Sequence, residues 1–166
     1  PGGQSLDVAR RAQGEPVAHL IGEREFYGRP FIVNSDVLIP RPATEMLVER
    51  ALALLQAPAA TCDAARVLDI GTGSGCIAVS IACEHVDSVI VATDISSAAL
   101  TVARANALRH GVASRVMFVH GSLAAETGNI DLIVTNPPYI AETDRPGLMR
   151  DVRDFEPATA LFGGAD

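Results

Sequence analysis

Short apolar runs alternate with helix-like patterns in the second half of the chain. Four such runs predict buried strands, over residues 67–70, 89–92, 116–119 and 132–135. Between them, apolar residues at helical spacing predict helices over 77–83 and about 97–110, the second with Ser96 or Ser97 as its N-cap. Fully apolar strands that alternate with helices are typical of a parallel sheet covered on both faces. The pattern therefore predicts a doubly wound α/β domain.

The first third of the chain has a different pattern. Residues 5–13 are amphipathic but too few to fold alone, so they predict the end of a helix. Strand-like residues 25–27 and 31–33 lie on either side of a glycine and predict a hairpin. Apolar residues then recur at helical spacing over 45–55. These elements predict a helix and hairpin followed by a covering helix.

Two prolines separate the predicted hairpin from the helix that follows it. Pro40 and Pro42 can continue neither a strand nor a helix, and Thr44 is placed to cap the next helix. The character of the sequence changes again after this helix. We therefore divide the chain into a small N-terminal appendage, residues 1–58, and the α/β domain, residues 59–166.

Composition is that of one ordinary globular domain. The 166 residues are 48% hydrophobic and 20% charged, which excludes wholesale disorder. No apolar run reaches the roughly 18 residues of a membrane span, and the first residues lack the pattern of a secretory signal. We therefore expect a soluble, cytoplasmic protein without a membrane partner.

Charge and cysteine usage narrow the chemistry. The net charge of −7 disfavours nucleic-acid binding, which depends on basic surfaces that contact phosphates. The three cysteines form no Cys-x-x-Cys pair and have no histidine at metal-binding spacing: Cys62, Cys76 and Cys83. They predict reduced structural thiols, and no metal site is expected. The histidines are scattered and predicted to be structural or surface residues: His19, His85, His110 and His120.

A glycine-rich loop follows the first predicted strand of the sheet. It alternates glycine with small polar residues: Gly71, Thr72, Gly73, Ser74 and Gly75. Such a loop turns sharply and presents the N–H groups of the next helix to an anionic group. Cys76 replaces the last glycine of a dinucleotide-binding loop, and Asp94 ends the second strand, where a carboxylate can hold ribose hydroxyls. These residues favour a nucleoside-cofactor site over an ordinary tight turn.

A second candidate site follows the fourth strand, at the sheet edge where ligands bind in doubly wound folds. It is the acceptor loop, residues Asn136, Pro137, Pro138 and Tyr139. The side-chain oxygen of Asn136 and the carbonyl of Pro137 can accept both hydrogens of one NH₂ group. Tyr139 offers a flat face for a planar amide or base. The alternative is that the two prolines only form a rigid turn with Asn136 as its cap. That alternative accounts for the four residues themselves but not for their position at the end of a strand.

The glycine loop, Asp94 and the acceptor loop together resemble class I S-adenosylmethionine-dependent methyltransferases that act on nitrogen in a planar group. Residues 22–28, 38–45 and 152–157 narrow the resemblance to the release-factor glutamine N5-methyltransferase family. It extends from about Gly14 to the last residue. It implies a Rossmann-like fold and transfer of a methyl group to the glutamine amide of a Gly-Gly-Gln motif in peptide-chain release factors.

The resemblance also implies roles for individual residues. Gly71 to Gly75 would surround the methionine part of the cofactor, Asp94 would hold its ribose, and Leu123 would line the adenine pocket. Asn136 would contact both cofactor and substrate, and Pro137, Pro138 and Tyr139 would complete the glutamine site, with Asn136, Pro137 and Tyr139 as the catalytic residues. Ser122 stands where the family often has aspartate, so its hydroxyl would meet the adenine amine without a charge.

Other functions remain open on the residues alone. The ribosomal-protein glutamine methyltransferases share the acceptor loop, and a DNA or RNA amino-methyltransferase could place an adenine amine there. A non-catalytic cofactor-binding fragment is a further alternative, because only four of the seven strands that the resemblance implies are found. The polar stretch 142–156 is either a substrate-facing lid or a solvated connection. Gly2-Gly3-Gln4 matches the motif that the family modifies, and we interpret it as chance.

The strand count leads to an expectation about completeness. We expect the first and fourth strands to be neighbours at the centre of one sheet, with the missing C-terminal strands on the outer side of the fourth. Without them, the fourth strand would present unpaired backbone groups, and Ile133 and Val134 would lose cover. We therefore expect these residues to depend on additional polypeptide.

Overall fold

The computed structural model describes residues 2–56, 64–122 and 129–164. The helices are α1 (Gly2–Ala12), α2 (Val17–Ile21), α3 (Glu45–Leu55), α4 (Cys76–Glu84), α5 (Ser97–Arg109), α6 (Arg150–Phe155) and α7 (Ala158–Leu161). The strands are β1 (Glu23–Phe26), β2 (Arg29–Ile32), β3 (Ala65–Ile70), β4 (Ser88–Asp94), β5 (Val116–His120), β6 (Leu132–Thr135), β7 (Ile140–Ala141) and β8 (Phe162–Gly164). Short 3₁₀ helices cover Pro42–Thr44 and Glu142–Gly147.

The central sheet is parallel and has the strand order β5-β4-β3-β6. The predicted first and fourth strands are neighbours, with Val67 opposite Leu132, which confirms the predicted α/β fold class and this pairing. Strands β3 and β4 are longer than predicted, and β4 runs on to Asp94. Its last residue therefore delivers a carboxylate to the carboxyl edge of the sheet, where the glycine loop also lies.

Helix α4 is buried along most of its length because it contacts other elements on several sides. Its residues from Cys76 to Ala82 are all buried, and it packs against α3, α5 and β4. A helix that is apolar all round belongs in a core rather than at the surface. Burial of α4 therefore fixes the start of this helix, and with it the end of the glycine loop.

The N-terminal hairpin shares the core of the sheet. Its turn residues Tyr27 and Gly28 both have positive φ (51° and 69°), as the two-residue turns that suit a hairpin require. The rings of Phe26 and Phe31 pack edge to face with centroids 6.0 Å apart, in one cluster with Val67 of β3. The division at residue 58 lies in the stretch 57–63, outside the described residues, and stays a prediction.

A buried asparagine joins the hairpin to the glycine loop. The side-chain oxygen of Asn106 accepts from the N–H of Ile32 at 2.7 Å. Its amide group donates to the carbonyl oxygens of Ile32 at 3.0 Å and Ser74 at 2.8 Å. Because a buried amide is costly unless its hydrogen bonds are made, Asn106 fixes β2, α5 and the loop relative to one another.

The two predicted helix caps have different outcomes. Ser96 caps α5, and its hydroxyl oxygen accepts from the N–H of Ala99 at 3.1 Å, as predicted. The prediction for Thr44 is wrong, because its side chain makes no capping hydrogen bond and its backbone is already helical. Thr44 ends the 3₁₀ turn that runs directly into α3, so the geometry of an N-cap residue is absent there.

The C-terminal residues form short helices and a small second sheet. Strands β7 and β8 pair in parallel, with Ile140 opposite Phe162. Between them the chain passes through a 3₁₀ helix and helices α6 and α7. The polar stretch 142–156 is therefore helical over most of its length. In the part of the chain that the structure describes, no helix has the length and apolar character required to cross a bilayer.

Candidate functional site

The glycine loop turns through three residues with positive φ between β3 and α4. Gly71, Gly73 and Gly75 have φ of 70°, 55° and 79°, a region that other residues rarely adopt. A Cβ atom added at Gly71 or Gly73 would meet no atom within 4 Å, whereas one at Gly75 would lie 3.1 Å from Cβ of Ala103. The first two glycines therefore leave open space over the loop, and the third allows close packing against α5.

Asp94 holds the glycine loop from the end of the neighbouring strand. One carboxylate oxygen accepts from the N–H of Gly73 at 2.9 Å, and the other accepts from the N–H of Ser96 at 2.9 Å. The side chain also lines the cavity above the loop. Because a carboxylate oxygen can accept more than one hydrogen bond, Asp94 can support the loop and still accept from a ligand hydroxyl.

Asp69 lies beneath the loop and is fully buried. One of its oxygens accepts from the hydroxyl of Thr72 at 2.6 Å, and the backbone N–H of Ala78 also donates to the carboxyl. Burial raises the pKa of Asp69 to about 6, although the hydrogen bond from Thr72 lowers this pKa in part. The carboxyl therefore acts on the loop from within the core rather than on a ligand in the cavity.

The cysteine that ends the glycine loop is not a nucleophile. Burial raises the pKa of the Cys76 thiol to about 12, so the thiolate form is absent at neutral pH. Cys76 and Cys83 are both free thiols, in agreement with the prediction for these two, and Cys62 lies outside the described residues. The two described cysteines are packing residues.

A cavity of about 220 Å³ opens above the glycine loop. Its floor contains Gly71, Thr72, Gly73 and Ser74, and Asp94, Ser122 and Asn136 lie around it. Two further segments also line the cavity: Asp36, Val37, Leu38, Pro40, Arg41 and Thr44 from the first, and Pro157, Thr159 and Ala160 from the second. The predicted cofactor residues from Gly71 to Ser74, Asp94 and Asn136 are therefore brought together, while Gly75 lies beneath at the start of α4. Leu123 lies outside the described residues.

A second cavity adjoins the first on the side of the acceptor loop. Pro137, Tyr139 and Ile140 line it, with apolar cover from Leu47 and Leu161. Five residues line both cavities: Leu38, Arg41, Thr44, Asn136 and Ala160. Asn136 therefore lies in the wall that the two cavities share. The next two residues line different cavities: Pro137 lines the second and Pro138 lines the first. Tyr139 is 80% exposed, so its ring is free to contact a ligand.

Arg41 and Glu156 form a partly buried contact beside the cavities that the sequence did not predict. The Nη2 atom of Arg41 lies 2.5 Å from Oε1 of Glu156, and Oε2 of Glu156 accepts from the N–H of Ile39 at 3.3 Å. Glu156 is buried, and burial raises the pKa of its carboxyl despite the nearby guanidinium of Arg41. Glu156 is therefore not part of a solvated connection. Both residues lie in motifs that carry the family resemblance, residues 38–45 and 152–157. A local sequence pattern does not show, however, that two residues 115 positions apart are in contact.

Two of the histidines pair with backbone carbonyl groups. His110 pairs through Nε2 with the carbonyl oxygen of Pro30 at 2.9 Å, and His120 with that of Ile95 at 2.8 Å. Neither cavity is lined by a histidine among the described residues. In those residues there is also no cluster of three or more side chains suited to a metal ion. The polar groups that converge on the two cavities are carboxylate, amide, hydroxyl and guanidinium groups.

The fold and the paired cavities define a class of protein, the doubly wound α/β domains, in which ligands bind at the carboxyl edge of a parallel sheet. Residues 42–151 match the family described as the methyltransferase small domain. The chain belongs to this family.

Curated relatives confirm the resemblance found in the motifs. The chain is 51% identical over 160 residues to the release factor glutamine methyltransferase of Nitratidesulfovibrio vulgaris, covering 95% of this chain and 52% of the relative. It is 48% identical to the protein of that name from Koribacter versatilis, covering 95% and 55%. A bifunctional methyltransferase of Rickettsia prowazekii is 38% identical, covering 96% and 34%. The chain thus spans about half the length of the first two.

Solved structures support the fold at low sequence identity. The human methyltransferase 10 domain containing protein superposes with a TM-score of 0.54 at 18% identity, over 85% of this chain and 63% of that one. The hMettl16 catalytic domain in complex with MAT2A 3′UTR hairpin 6 superposes with a TM-score of 0.62 at 16% identity, over 98% and 58%. At these identities the similarity extends to the fold alone.

Proposed function

We propose that this chain is the catalytic part of an S-adenosylmethionine-dependent methyltransferase that modifies the glutamine of the Gly-Gly-Gln motif in a peptide-chain release factor, at the side-chain nitrogen N5. The observation that carries the proposal is the place of Asn136 in the wall between two adjoining cavities. A donor in one cavity and an acceptor in the other would meet at this residue. The names of the relatives that are about 50% identical support the choice of substrate.

The residues around the first cavity fit the methyl donor. The open space over Gly71 and Gly73 admits a ligand against the backbone, and the half-buried carboxylate of Asp94 suits two ribose hydroxyls. Thr72, Ser74 and Gly75 would complete the loop around the methionine part, with Leu123 beside the adenine. When bound, S-adenosylmethionine supplies a methyl group on a positively charged sulfur. The protein's task is to hold and orient the two reactants.

The acceptor loop would prepare the glutamine amide for attack. An amide nitrogen is a poor nucleophile because its lone pair is delocalised into the carbonyl group. The side-chain oxygen of Asn136 and the carbonyl oxygen of Pro137 would accept its two N–H hydrogens and so aim the lone pair at the first cavity. Pro138 would keep the loop rigid, and the exposed ring of Tyr139 would cover the planar amide.

Orientation supplies most of the catalysis in this proposal. Well-oriented reactions gain up to about 7–11 kcal/mol. With the amide held by Asn136 and Pro137, the donor would supply its methyl group to the nitrogen with loss of the carbon–sulfur bond, and one N–H proton would then pass to water. No strong base is needed at this step, which agrees with the residues that line the second cavity.

The release factor is the proposed protein partner, and the cytoplasm is the proposed location. The net charge of −7 favours a protein over a nucleic acid as the substrate. The free thiols of Cys76 and Cys83 agree with a reducing compartment.

Methyl transfer from radiolabelled S-adenosylmethionine tests the substrate. We expect the intact protein to label a release factor and to leave unlabelled a release factor whose Gly-Gly-Gln glutamine is replaced by alanine. A ribosomal protein and duplex DNA are the comparison substrates. Transfer to either of these, with none to the release factor, would contradict the proposal.

Two variants separate the two cavities. Asn136→Ala should cut turnover by about 10²-fold or more while cofactor affinity stays nearly unchanged, because its hydrogen bond acts mainly in the transition state. Asp94→Ala should weaken cofactor binding by about 1–3 kcal/mol in calorimetry, through lost hydroxyl and loop contacts. Asn129→Ala, an exposed asparagine outside both cavities, is the matched control and should change neither quantity. Unchanged cofactor affinity in Asp94→Ala would count against the assignment of the first cavity.

A further inference from the structure

The acceptor loop is in backbone contact with the short strand β8. The loop leads directly into β7, and β7 pairs in parallel with β8 through Ile140 and Phe162. The pairing is irregular between Ile140 and Ala141. At this irregularity the carbonyl group of Pro138 lies against Gly163, the middle residue of β8.

Gly163 leaves no room for a side chain. A Cβ atom added there would lie 2.7 Å from the carbonyl oxygen of Pro138 and 3.5 Å from its carbonyl carbon. Such atoms essentially never approach closer than 3.0 Å, and here the opposing atom belongs to the backbone. The φ of Gly163 is outside the left-handed region, so close contact rather than backbone conformation requires glycine at this position.

A displacement of Pro138 would be carried into the loop rather than absorbed locally. Pro137 and Pro138 both have ring-fixed φ angles, which leaves the chain fewer torsions with which to adjust. Tyr139 is 80% exposed and does not anchor the loop by packing. The amide acceptors that the proposed reaction uses, on Asn136 and Pro137, lie directly before Pro138 in the chain.

Strand β8 is itself held in place. The guanidinium of Arg145 lies 4.3 Å from the ring centroid of Phe162, a favourable cation–π contact. Arg145 is in turn paired with Glu142 at 2.8 Å. Leu161, the residue before β8, is buried. The acceptor loop therefore rests against a supported strand.

We propose that Gly163 is a positioning residue for methyl transfer, which acts through the carbonyl group of Pro138 to set the place of the acceptors on Asn136 and Pro137. The inference rests on the proposed function and adds to it a support for the acceptor loop that comes from a different part of the chain. Gly163 does not contact the substrate in this proposal. It allows β8 to approach closely enough to fix the loop.

Gly163→Ala in the intact protein tests the inference against Gly147→Ala. Gly147 also lies outside the left-handed φ region, but a Cβ atom there would meet no atom within 4 Å, so this control adds the same methyl group without the contact. We expect Gly163→Ala to lower kcat for release-factor methylation by about tenfold or more, since small misplacements of reacting groups are costly. Cofactor Kd should match that of Gly147→Ala, because the loop from Gly71 to Gly75 does not contact Gly163 in this proposal.

A crystal structure of Gly163→Ala supplies a readout that does not depend on the substrate. The carbonyl oxygen of Pro138 and the side chain of Asn136 should be displaced, and the loop from Gly71 to Gly75 should stay in place. A kcat equal to that of Gly147→Ala, or an undisplaced Pro138, would overturn the inference and leave the proposed function intact. A wild-type protein that methylates no release factor would instead overturn the proposed function, while the crystal structure still decides whether Gly163 positions the loop.

Discussion

Asp69 shows how one buried residue makes the stability of the site depend on pH. Its pKa is raised to about 6 because burial disfavours the charged form. The folded protein therefore holds this proton more tightly than the unfolded chain. The bound proton adds to the free energy of unfolding, and this contribution is fully present below pH about 4. It is lost as pH rises through about 6, and above that pH the buried charge costs about 2–3 kcal/mol relative to an unshifted carboxyl.

Asp69→Asn should remove this dependence, because asparagine keeps an acceptor for the hydroxyl of Thr72 but carries no charge. We expect the difference in free energy of unfolding, variant minus wild type, to increase by roughly 1 kcal/mol as pH rises from about 5 to about 7.5, because only the wild type loses stability over this range. Chemical denaturation without cofactor measures it. Asp87→Asn, at an exposed residue in the turn before β4, is the control and should show no such trend. A relative stability that falls with pH would contradict the prediction.

Among the elements, two segments that lie far apart in the chain are joined beside the first cavity. The loop after β2 supplies Ile39 and Arg41, and the segment between α6 and α7 supplies Glu156. The two oxygens of the Glu156 carboxylate accept hydrogen bonds from different residues: Oε1 from the guanidinium of Arg41 and Oε2 from the N–H of Ile39. Because Arg41 lines both cavities, Glu156 also sets the wall between them.

Glu156→Ala should loosen this wall. The change leaves the N–H of Ile39 without its acceptor, and we expect a loss of about 1–3 kcal/mol in the free energy of unfolding, with weaker cofactor binding. Glu156→Gln keeps an acceptor and should lose less on both measures. Asp154→Ala removes exposed ion pairs with Arg150 and Arg153. Because solvent screens such pairs, it should cost little stability and should not affect the cofactor. Equal losses in Glu156→Ala and Asp154→Ala would show that the buried pair is unimportant.

At the scale of the whole molecule, β6 forms one edge of the described sheet. The prediction that Ile133 and Val134 both lose cover is half right. Ile133 is 58% exposed, but Val134 is buried in the shared core, because its side chain points to the opposite face of the strand. An exposed edge beside an exposed isoleucine is a surface that proteins usually cover.

We expect additional polypeptide to cover this edge in a protein of the length of the curated relatives. Hydrogen exchange should show β6 amides with greater protection in the longer protein than in residues 1–166 alone. Strand β3 lies inside the sheet between β4 and β6 and should be protected in both, which makes it the internal control. A monomer of residues 1–166 that unfolds cooperatively with fully protected β6 amides would show that no further cover is needed.

Local patterns predicted much of this molecule. Helix α3 has the predicted bounds, and the four strands of the sheet were found from apolar runs of a few residues. Ser96 was found as a cap because a capping hydroxyl acts within its own helix turn. The same kind of signal failed for Thr44, where the preceding Pro42–Thr44 turn changed the backbone geometry. Strand ends and cap details depend on neighbours that a short window does not contain.

The order of the elements and the chemistry at the ends of two strands follow from local sequence. The glycine spacing, the position of Asp94 after its strand and the four residues of the acceptor loop are all properties of adjacent positions. Only the tertiary structure decided how those pieces are held. Asn106 meets Ile32 across 74 positions, Glu156 meets Arg41 across 115, and Pro138 meets Gly163 through the backbone. Such contacts follow from packing around a common core, and no local pattern of residues specifies them in advance.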